Sequence, residues 1–115
     1  MRFVMFIVSD PDHTAADAEA APSFDSWHPY AIERGAYVEG VRLQDPDTAR
    51  VVRVRDGRTE VDSGTFVDSE EKILGFAILE CGGWDEAIEL AARNRQAHIG
   101  RIELREIHSM GGPEG

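Results

Sequence analysis

Two stretches of the chain are almost wholly apolar and predict buried strands. The first spans residues 2–8 and the second spans residues 73–81. A strand covered on both faces is a continuous run of apolar residues, whereas a strand with one exposed face alternates between apolar and polar positions. Both runs are far shorter than the roughly 20 residues that a membrane helix requires. We therefore expect two central strands of one sheet and no contact with a membrane.

Shorter segments predict the other strands. Apolar and polar positions alternate at residues 49–55 and 101–108, and residues 36–43 and 58–61 are also expected to form strands. Asp56 and Gly57 stand between residues 49–55 and residues 58–61. An Asp-Gly pair between two predicted strands favours a tight hairpin turn in which φ is positive. The chain is therefore expected to contain a β-hairpin in its middle third.

Helical segments lie between the strands. Thr14 can cap an alanine-rich segment at residues 15–21, and a second helical segment covers residues 23–34. Pro29 lies within the second segment. Because proline is comfortable only in the first turn of a helix, the regular helix is predicted to begin near His28.

The clearest helix follows the second apolar strand. Gly83 can serve as its N-cap, and an apolar stripe then runs through residues 84–92. Acidic residues at the start and arginines at the end suit the helix dipole. The chain after this helix is expected to form a loop that contains His98.

The order of these elements predicts an α+β fold. A strand, a helix and a strand are followed by the extra hairpin and then by a strand, a helix and a strand. Such an order suits a split β-α-β arrangement, an antiparallel sheet with both helices on one face. At 115 residues the chain has the length of one domain. We expect that domain to cover residues 1–109 and residues 110–115 to form a disordered tail.

Charge and cysteine content restrict the partners and the compartment. The 22 acidic residues outnumber the 12 lysines and arginines, for a net charge of −10. This excess opposes binding to nucleic acid and to anionic membranes. Four arginines cluster at residues 50–58, but the acids between them favour a solvated hairpin over a phosphate-binding track. Cys81, the single cysteine, has no internal disulfide partner and no secretory signal is evident, so we expect a cytoplasmic protein.

Five segments together resemble the DGPF branch of the YCII-related proteins. They are Val-Arg-Val-Arg-Asp-Gly at 52–57, Gly-Thr-Phe at 64–66, Leu-Gly-Phe at 74–76, Trp-Asp-Glu-Ala-Ile-Glu-Leu-Ala-Ala-Arg at 84–93 and Ile-Glu-Leu-Arg at 102–105. The resemblance implies a ferredoxin-like unit that pairs into a homodimeric α/β barrel, with a cleft between sheet and helices. The Asp-Gly-Pro-Phe motif that names the branch is replaced here by Ser63-Gly64-Thr65-Phe66.

The open face of the predicted sheet should carry the dimer contact. A ferredoxin-like sheet with helices on one face leaves its other face uncovered. Four apolar residues of the central strands are expected to include those that meet the partner or the barrel interior. They are Val4, Phe6, Phe76 and Ile78.

The resemblance also implies a catalytic pair, His28 and Asp62. In the wider superfamily a His and an Asp that line the cleft are thought to be catalytic, and a carboxylate-oriented imidazole is an effective general base near neutral pH. His28 also suits a plain helix start before Pro29, and Asp62 suits a strand end. The sequence leaves both interpretations open.

Other polar residues are candidates for ligand binding. His98 precedes the last predicted strand. Glu103 and Arg105 match the Glu-x-Arg motif near the C-terminal end of the family's sequences. These three could recognise an anionic ligand, or they could be solvated residues of an edge strand in ion pairs. The four histidines show no metal-ligand spacing, so no metal and no cofactor are expected. Cys81 lies in an apolar strand and is interpreted as an inert core thiol.

Two classes of function remain at this stage. The first is a dimeric module that binds or responds to a small organic ligand. The second is a cofactor-free lyase or isomerase that acts on a small cyclic or aromatic compound, with His28 as base and Asp62 to orient it.

Overall fold

A computed structural model describes residues 1–108 and contains six strands, four α-helices and one short 3-10 turn within them. The predicted tail at 110–115 lies outside the described residues. In chain order the elements are β1 (Arg2–Ser9), α1 (Ala15–Ala20), α2 (Phe24–Glu33), β2 (Tyr37–Arg42), the 3-10 turn (Pro46–Thr48), β3 (Arg50–Arg55), β4 (Arg58–Ser63), β5 (Ile73–Glu80), α3 (Trp84–Ala92), α4 (Arg95–Ile99) and β6 (Gly100–Glu106).

The strands form two antiparallel sheets. The larger has the order β2-β5-β1-β6, and the smaller consists of β3 and β4. The two apolar runs, β1 and β5, are the central strands, as their composition predicts. β1 is followed by α1 and α2 and then by β2, which runs parallel to it with β5 between them. β5 is likewise followed by α3 and α4 and then by β6, with β1 between them, so each half is a split β-α-β unit. The α+β, ferredoxin-like fold with an inserted hairpin is therefore confirmed.

The core lies between the larger sheet and the helices. Phe3 and Met5 of β1 are fully buried, and Leu79 of β5 lies directly across from Phe3. The helices contribute Ala31 from α2 and Leu90 from α3. Since side chains alternate between the two faces of a strand, every second residue of β1 faces this core and the residues between them face away.

The second helix begins earlier than its proline suggests. α2 starts at Phe24, one residue after its N-cap Ser23, so the prediction of a start near His28 is wrong. Trp27 in the first turn is buried, and its Nε1–H donates to the backbone oxygen of Leu90 at 2.7 Å. This anchorage offsets the backbone hydrogen bond that Pro29, inside the helix, is unable to make.

A fourth helix stands where the sequence predicted a loop. His98 lies within α4, so its placement in a loop is wrong. Asn94 caps this helix, its Oδ1 accepting from the backbone N–H of Gln96 at 2.9 Å. The buried Gln96 side chain in turn donates to the backbone oxygen of Val8 at 3.2 Å. Because both interactions involve polar residues, a search for periodic apolar positions does not detect this helix.

The hairpin is separate from the larger sheet. Asp56 and Gly57 have φ of 53° and 75°, the positive values predicted for this turn. β3 and β4 hydrogen-bond only to each other, and nearly all of their side chains are exposed. Val52 faces Val61 across the strand pair, with 60% and 57% of their surfaces exposed. Arg53 and Glu60, also opposite each other, form an ion pair at 2.7 Å.

The face of the larger sheet opposite the helices has a half-buried apolar centre. Four side chains of β1 and β5 form this open face: Val4, Phe6, Phe76 and Ile78. They pair directly across the two strands, Val4 with Ile78 and Phe6 with Phe76. Among the elements of residues 1–108, no helix combines the length and the apolar character needed to cross a membrane.

Candidate functional site

A cleft of about 1250 Å³ opens between the larger sheet, α2 and the loops at one end of the sheet. Its lining comes from β1, β5 and β2, from α2, and from the segments that follow β1 and β2. The volume is somewhat above the roughly 300–1,000 Å³ that is usual for ligand pockets. The cleft is thus large enough for a small organic molecule and the water around it.

The floor of the cleft is a part of the sheet with few side chains. Gly40 and Gly75 line it together with Ala77. Gly75 lies against β2 so closely that a Cβ there would come within 2.5 Å of the Val41 backbone oxygen. A Cβ at Gly40 would come within 2.8 Å of the Tyr37 hydroxyl. The Tyr37 phenol therefore lies along β2 in the space that a side chain at position 40 would occupy.

Aromatic side chains form one wall. The Tyr37 ring meets the His28 imidazole edge to face, with 4.5 Å between ring centroids, and it meets Trp27 in the same manner at 6.1 Å. His28 follows the anchored Trp27 directly on α2, so burial of the tryptophan fixes where the imidazole lies. Phe24, one turn earlier, also lines the cleft.

Most polar groups of the lining already have partners. The Oδ1 atoms of Asp10 and Asp45 accept from backbone N–H groups two residues later, each at 2.9 Å. Ser9 Oγ accepts from the backbone N–H of Lys72 at 2.9 Å, and His13 Nδ1 lies 2.9 Å from the backbone oxygen of Asp10. These residues therefore stabilise the loops around the cleft.

Three chemically distinct groups in the lining have no partner within residues 1–108: the His28 imidazole, the Tyr37 hydroxyl and the Arg42 guanidinium. The amide of Gln44, at the mouth, shares this property over the same residues. An imidazole, a phenol and a guanidinium can exchange a proton, donate or accept a hydrogen bond, and bind an anion, respectively. Together they can hold a polar molecule on an apolar floor.

The structure separates the two residues of the predicted catalytic pair. His28 lines the cleft, whereas Asp62 lies on β4, exposed and opposite Val51. The carboxylates that share the cleft with His28 are those of Asp10 and Asp45. Within residues 1–108, neither carboxylate forms a hydrogen bond with His28. The role of Asp62 stays a prediction, and within one copy of the chain Asp62 does not line the cleft.

The predicted anion-binding residues lie on two sides of the sheet. His98 is in the helical layer, with its Nε2 at 2.8 Å from the backbone oxygen of Ala92. Glu103 and Arg105 lie on β6 opposite Phe6 and Val4, so they border the open face. The structure therefore brings Glu103 and Arg105 together and leaves His98 apart from them, and ligand binding by these residues stays a prediction.

Two groups just before α3, the Cys81 thiol and the Gly82 backbone N–H, have plain structural roles. Burial raises the pKa of the Cys81 thiol, and this favours the unreactive protonated form. The backbone N–H of Gly82, which precedes α3, donates to Glu86 Oε1 at 2.8 Å, so a carboxylate of the chain itself uses it. Within residues 1–108, His, Cys, Asp and Glu side chains nowhere gather in groups of three or more that could hold a metal ion.

Sequence reasoning missed Tyr37 and Arg42. A β-bulge near Val38 explains why, because Tyr37 pairs with Leu79 and Glu39 pairs with the adjacent Ile78. The extra residue changes the alternation, so that Tyr37 faces the same side as Gly40 and Arg42. Strict alternation would instead put Tyr37 with Glu39. The one sequence feature that could have pointed to Arg42 is that it lies near the end of a predicted strand between two apolar residues, without an adjacent acidic residue to pair with.

Comparison with known proteins agrees with the fold. The family described as the YCII-related domain matches residues 1–111. A protein of Rhizobium meliloti (strain 1021), called "Uncharacterized protein R00369", is 31% identical over 78 residues. That alignment covers 66% of this chain and 63% of the Rhizobium protein, so the chain spans under two thirds of that relative's length. Since the family match covers nearly the whole chain, the chain belongs to the family of YCII-related domains.

Proposed function

We propose that the chain is a small-ligand-binding module, with binding or regulatory function, whose cleft holds an organic ring compound. The observation that carries this proposal is that His28, Tyr37 and Arg42, whose polar groups have no partner within residues 1–108, all line one apolar cleft. Ligand sites typically combine an apolar lining with a few polar groups that orient the ligand. We also assign the chain to the DGPF branch of the family, although Ser63 and Thr65 replace the acid and the proline of its motif.

The flat floor and aromatic wall support a planar ligand. Gly75 and Ala77 add at most a methyl group to the floor, and His28 and Tyr37 present ring edges and faces. Aromatic rings gain from edge-to-face and offset contacts beyond the area that they bury. A ring compound would therefore use the cleft better than a flexible chain would.

Replacing His28 by Ala is expected to weaken binding of such a ligand by about tenfold. The imidazole supplies both a hydrogen bond and an aromatic contact in the cleft, and together these are worth on the order of 1–2 kcal/mol. Binding is measured by thermal shift and then by calorimetry, with a panel of hydroxylated aromatic and lactone compounds. His108→Ala is the matched control, because His108 is exposed after β6 and does not line the cleft. The proposal fails if no compound of the panel binds, or if both variants bind it as tightly as the wild type.

An enzyme of lyase or isomerase type is the second candidate. The observation in its favour is that the His28 ring nitrogens have no partner among residues 1–108, so the imidazole is available as a general base. In this case His28→Ala abolishes conversion of a bound compound while its affinity changes little. Asp62→Asn tests the predicted partner in the same assay, which follows conversion by chromatography. Binding without conversion contradicts the enzymatic role.

We further propose that two copies of the chain associate through the open face, in the cytoplasm and without nucleic acid. Half-buried apolar side chains such as Phe6 and Phe76 occupy this face although no helix of the described part covers it. An apolar sheet face that is left open in this way supports an interface between two copies of the chain.

Phe6→Asp is expected to convert the dimer into a monomer. The substitution places a charge at the centre of the apolar face, directly opposite Phe76 on one side and Glu103 on the other. Light scattering should give about twice the 12.7 kDa of one chain for the wild type and 12.7 kDa for the variant. Ile88→Asp, which adds a charge at an exposed position of α3, should stay dimeric. A wild-type mass of one chain at micromolar concentration contradicts the proposal.

A further inference from the structure

We infer that the ligand of the cleft is a planar ring that carries a carboxylate on one side and a hydroxyl group on the other, with Arg42 and Tyr37 determining this specificity. The inference rests on the proposed binding function of the cleft and names its ligand class. It follows from the placement of two side chains that the β2 bulge brings to one face of the sheet.

Arg42 supplies the binding group for the carboxylate. It is the last residue of β2, opposite Gly75, and it lines the cleft. Although acidic residues outnumber basic ones by 22 to 12, Arg42 forms no ion pair with any residue from 1 to 108. A guanidinium binds a carboxylate through two parallel hydrogen bonds, a planar geometry that neither a lysine nor an amide provides.

The acidic residues of the cleft do not form an ion pair with Arg42. Asp10 and Asp45 line the cleft as well, but each uses one oxygen to accept from a backbone N–H of its own loop. Neither lies within ion-pair distance of Arg42. Within residues 1–108 the guanidinium is therefore left without an anionic partner, and a bound ligand can supply one.

Tyr37 supplies the binding group for the hydroxyl. Its phenol oxygen lies 2.8 Å from the point where a Cβ of residue 40 would be. Residues 40 and 42 face the same side of β2, and two residues along a strand span about 7 Å. A six-membered ring with its two substituents in para positions spans a distance of this order. The phenol oxygen and the start of the Arg42 side chain are thus about 7 Å apart, and the flexible stem of the arginine lets its guanidinium reach the second substituent of such a ring.

The surroundings of these two groups suit the ring itself. The Tyr37 phenol covers Gly40, and the floor beside it is formed by Gly75 and Ala77, which add at most a methyl group to the lining. His28 stands edge to face against Tyr37 and can contact the ring or its hydroxyl. A ligand without the ring would leave the aromatic wall unused.

Three matched compounds test the ligand class: para-hydroxybenzoate, para-hydroxybenzamide and benzoate. By titration calorimetry the wild type should bind para-hydroxybenzoate at least tenfold more tightly than the amide, which has the same shape but no charge. It should bind benzoate several-fold more weakly, because benzoate leaves the Tyr37 hydroxyl without a partner. Arg42→Gln should bind the acid and the amide about equally, and Tyr37→Phe should no longer distinguish para-hydroxybenzoate from benzoate.

Two control variants separate these effects from general changes in charge or packing. Arg55→Gln removes an exposed strand arginine of the hairpin, and Tyr30→Phe removes a tyrosine hydroxyl outside the cleft. Both should keep the wild-type preferences. Loss of the acid preference in Arg55→Gln to the same extent as in Arg42→Gln would overturn the role of Arg42.

The outcomes separate this inference from the binding proposal on which it rests. Equal affinity of the wild type for the acid and the amide, or failure of all three compounds to bind, overturns the ligand class. In either case binding of other ring compounds that is lost in His28→Ala still supports the cleft as a ligand site. If the whole panel fails as well, the proposed function fails with it.

Discussion

Phe3→Ala should lower the free energy of unfolding by about 3–5 kcal/mol, as is usual when a buried Phe becomes Ala. Phe3 is fully buried in the core between sheet and helices. Its ring meets Trp84 edge to face, with 4.8 Å between centroids, so the substitution removes an aromatic contact as well as leaving a cavity. Domains are stable by only roughly 5–15 kcal/mol, and a loss of this size takes a large share of the total.

Phe66→Ala is the control for this substitution. Phe66 is 85% exposed, so its loss should change the stability by no more than about 0.5 kcal/mol. Urea denaturation at equal protein concentrations measures both variants, and the Phe3 variant should have a lower midpoint with an unchanged slope. A loss below about 1 kcal/mol for Phe3→Ala would show that the core relaxes around the cavity.

Trp27→Ala is expected to cost about 3–5 kcal/mol and to weaken ligand binding in the cleft. Trp27 is 7% exposed, and its Nε1–H donates to the Leu90 backbone oxygen at 2.7 Å. This bond joins α2 to α3 and fixes the neighbouring His28. Without the indole, the helix that carries the imidazole loses its anchor.

Trp27→Phe separates the hydrogen bond from the packing. The phenyl ring fills much of the same space but leaves the Leu90 oxygen with only the longer bond from the Arg93 backbone N–H, at 3.3 Å, so a loss of about 1 kcal/mol is expected. Denaturation and ligand titration are measured on both variants. Equal losses in stability for the Phe and Ala variants would mean that the hydrogen bond, and not the burial, is the main contribution of this residue.

The fold could be predicted from the sequence because its signals are local and redundant. The continuous apolar runs of β1 and β5 identify the central strands, and Asp56-Gly57 identifies the hairpin turn. The errors arose where a tertiary interaction overrides a local preference. Burial of Trp27 keeps Pro29 inside a helix, and the hydrogen bond from Gln96 to Val8 stabilises a helix of five residues that has little intrinsic stability.

The candidate site was predicted only in part for the same reason. His28 was named, and it does line the cleft. Tyr37 and Arg42 were not, because a bulge of one residue decides which face they occupy, and no apolar pattern in six residues reveals a bulge. Asp62 was named through a family likeness; the sequence predicted the hairpin beside it, but not that this hairpin would form a sheet of its own away from the cleft.

The separation of the hairpin from the larger sheet has a consequence for the dynamics of the chain. β3 and β4 pair only with each other and bury little, and an isolated two-stranded hairpin is at best marginally stable in water. The hairpin can therefore open and close again while the sheet and helices stay intact. We expect the hairpin and the rest of the described chain to open as two cooperative units with different free energies, the hairpin at the lower one.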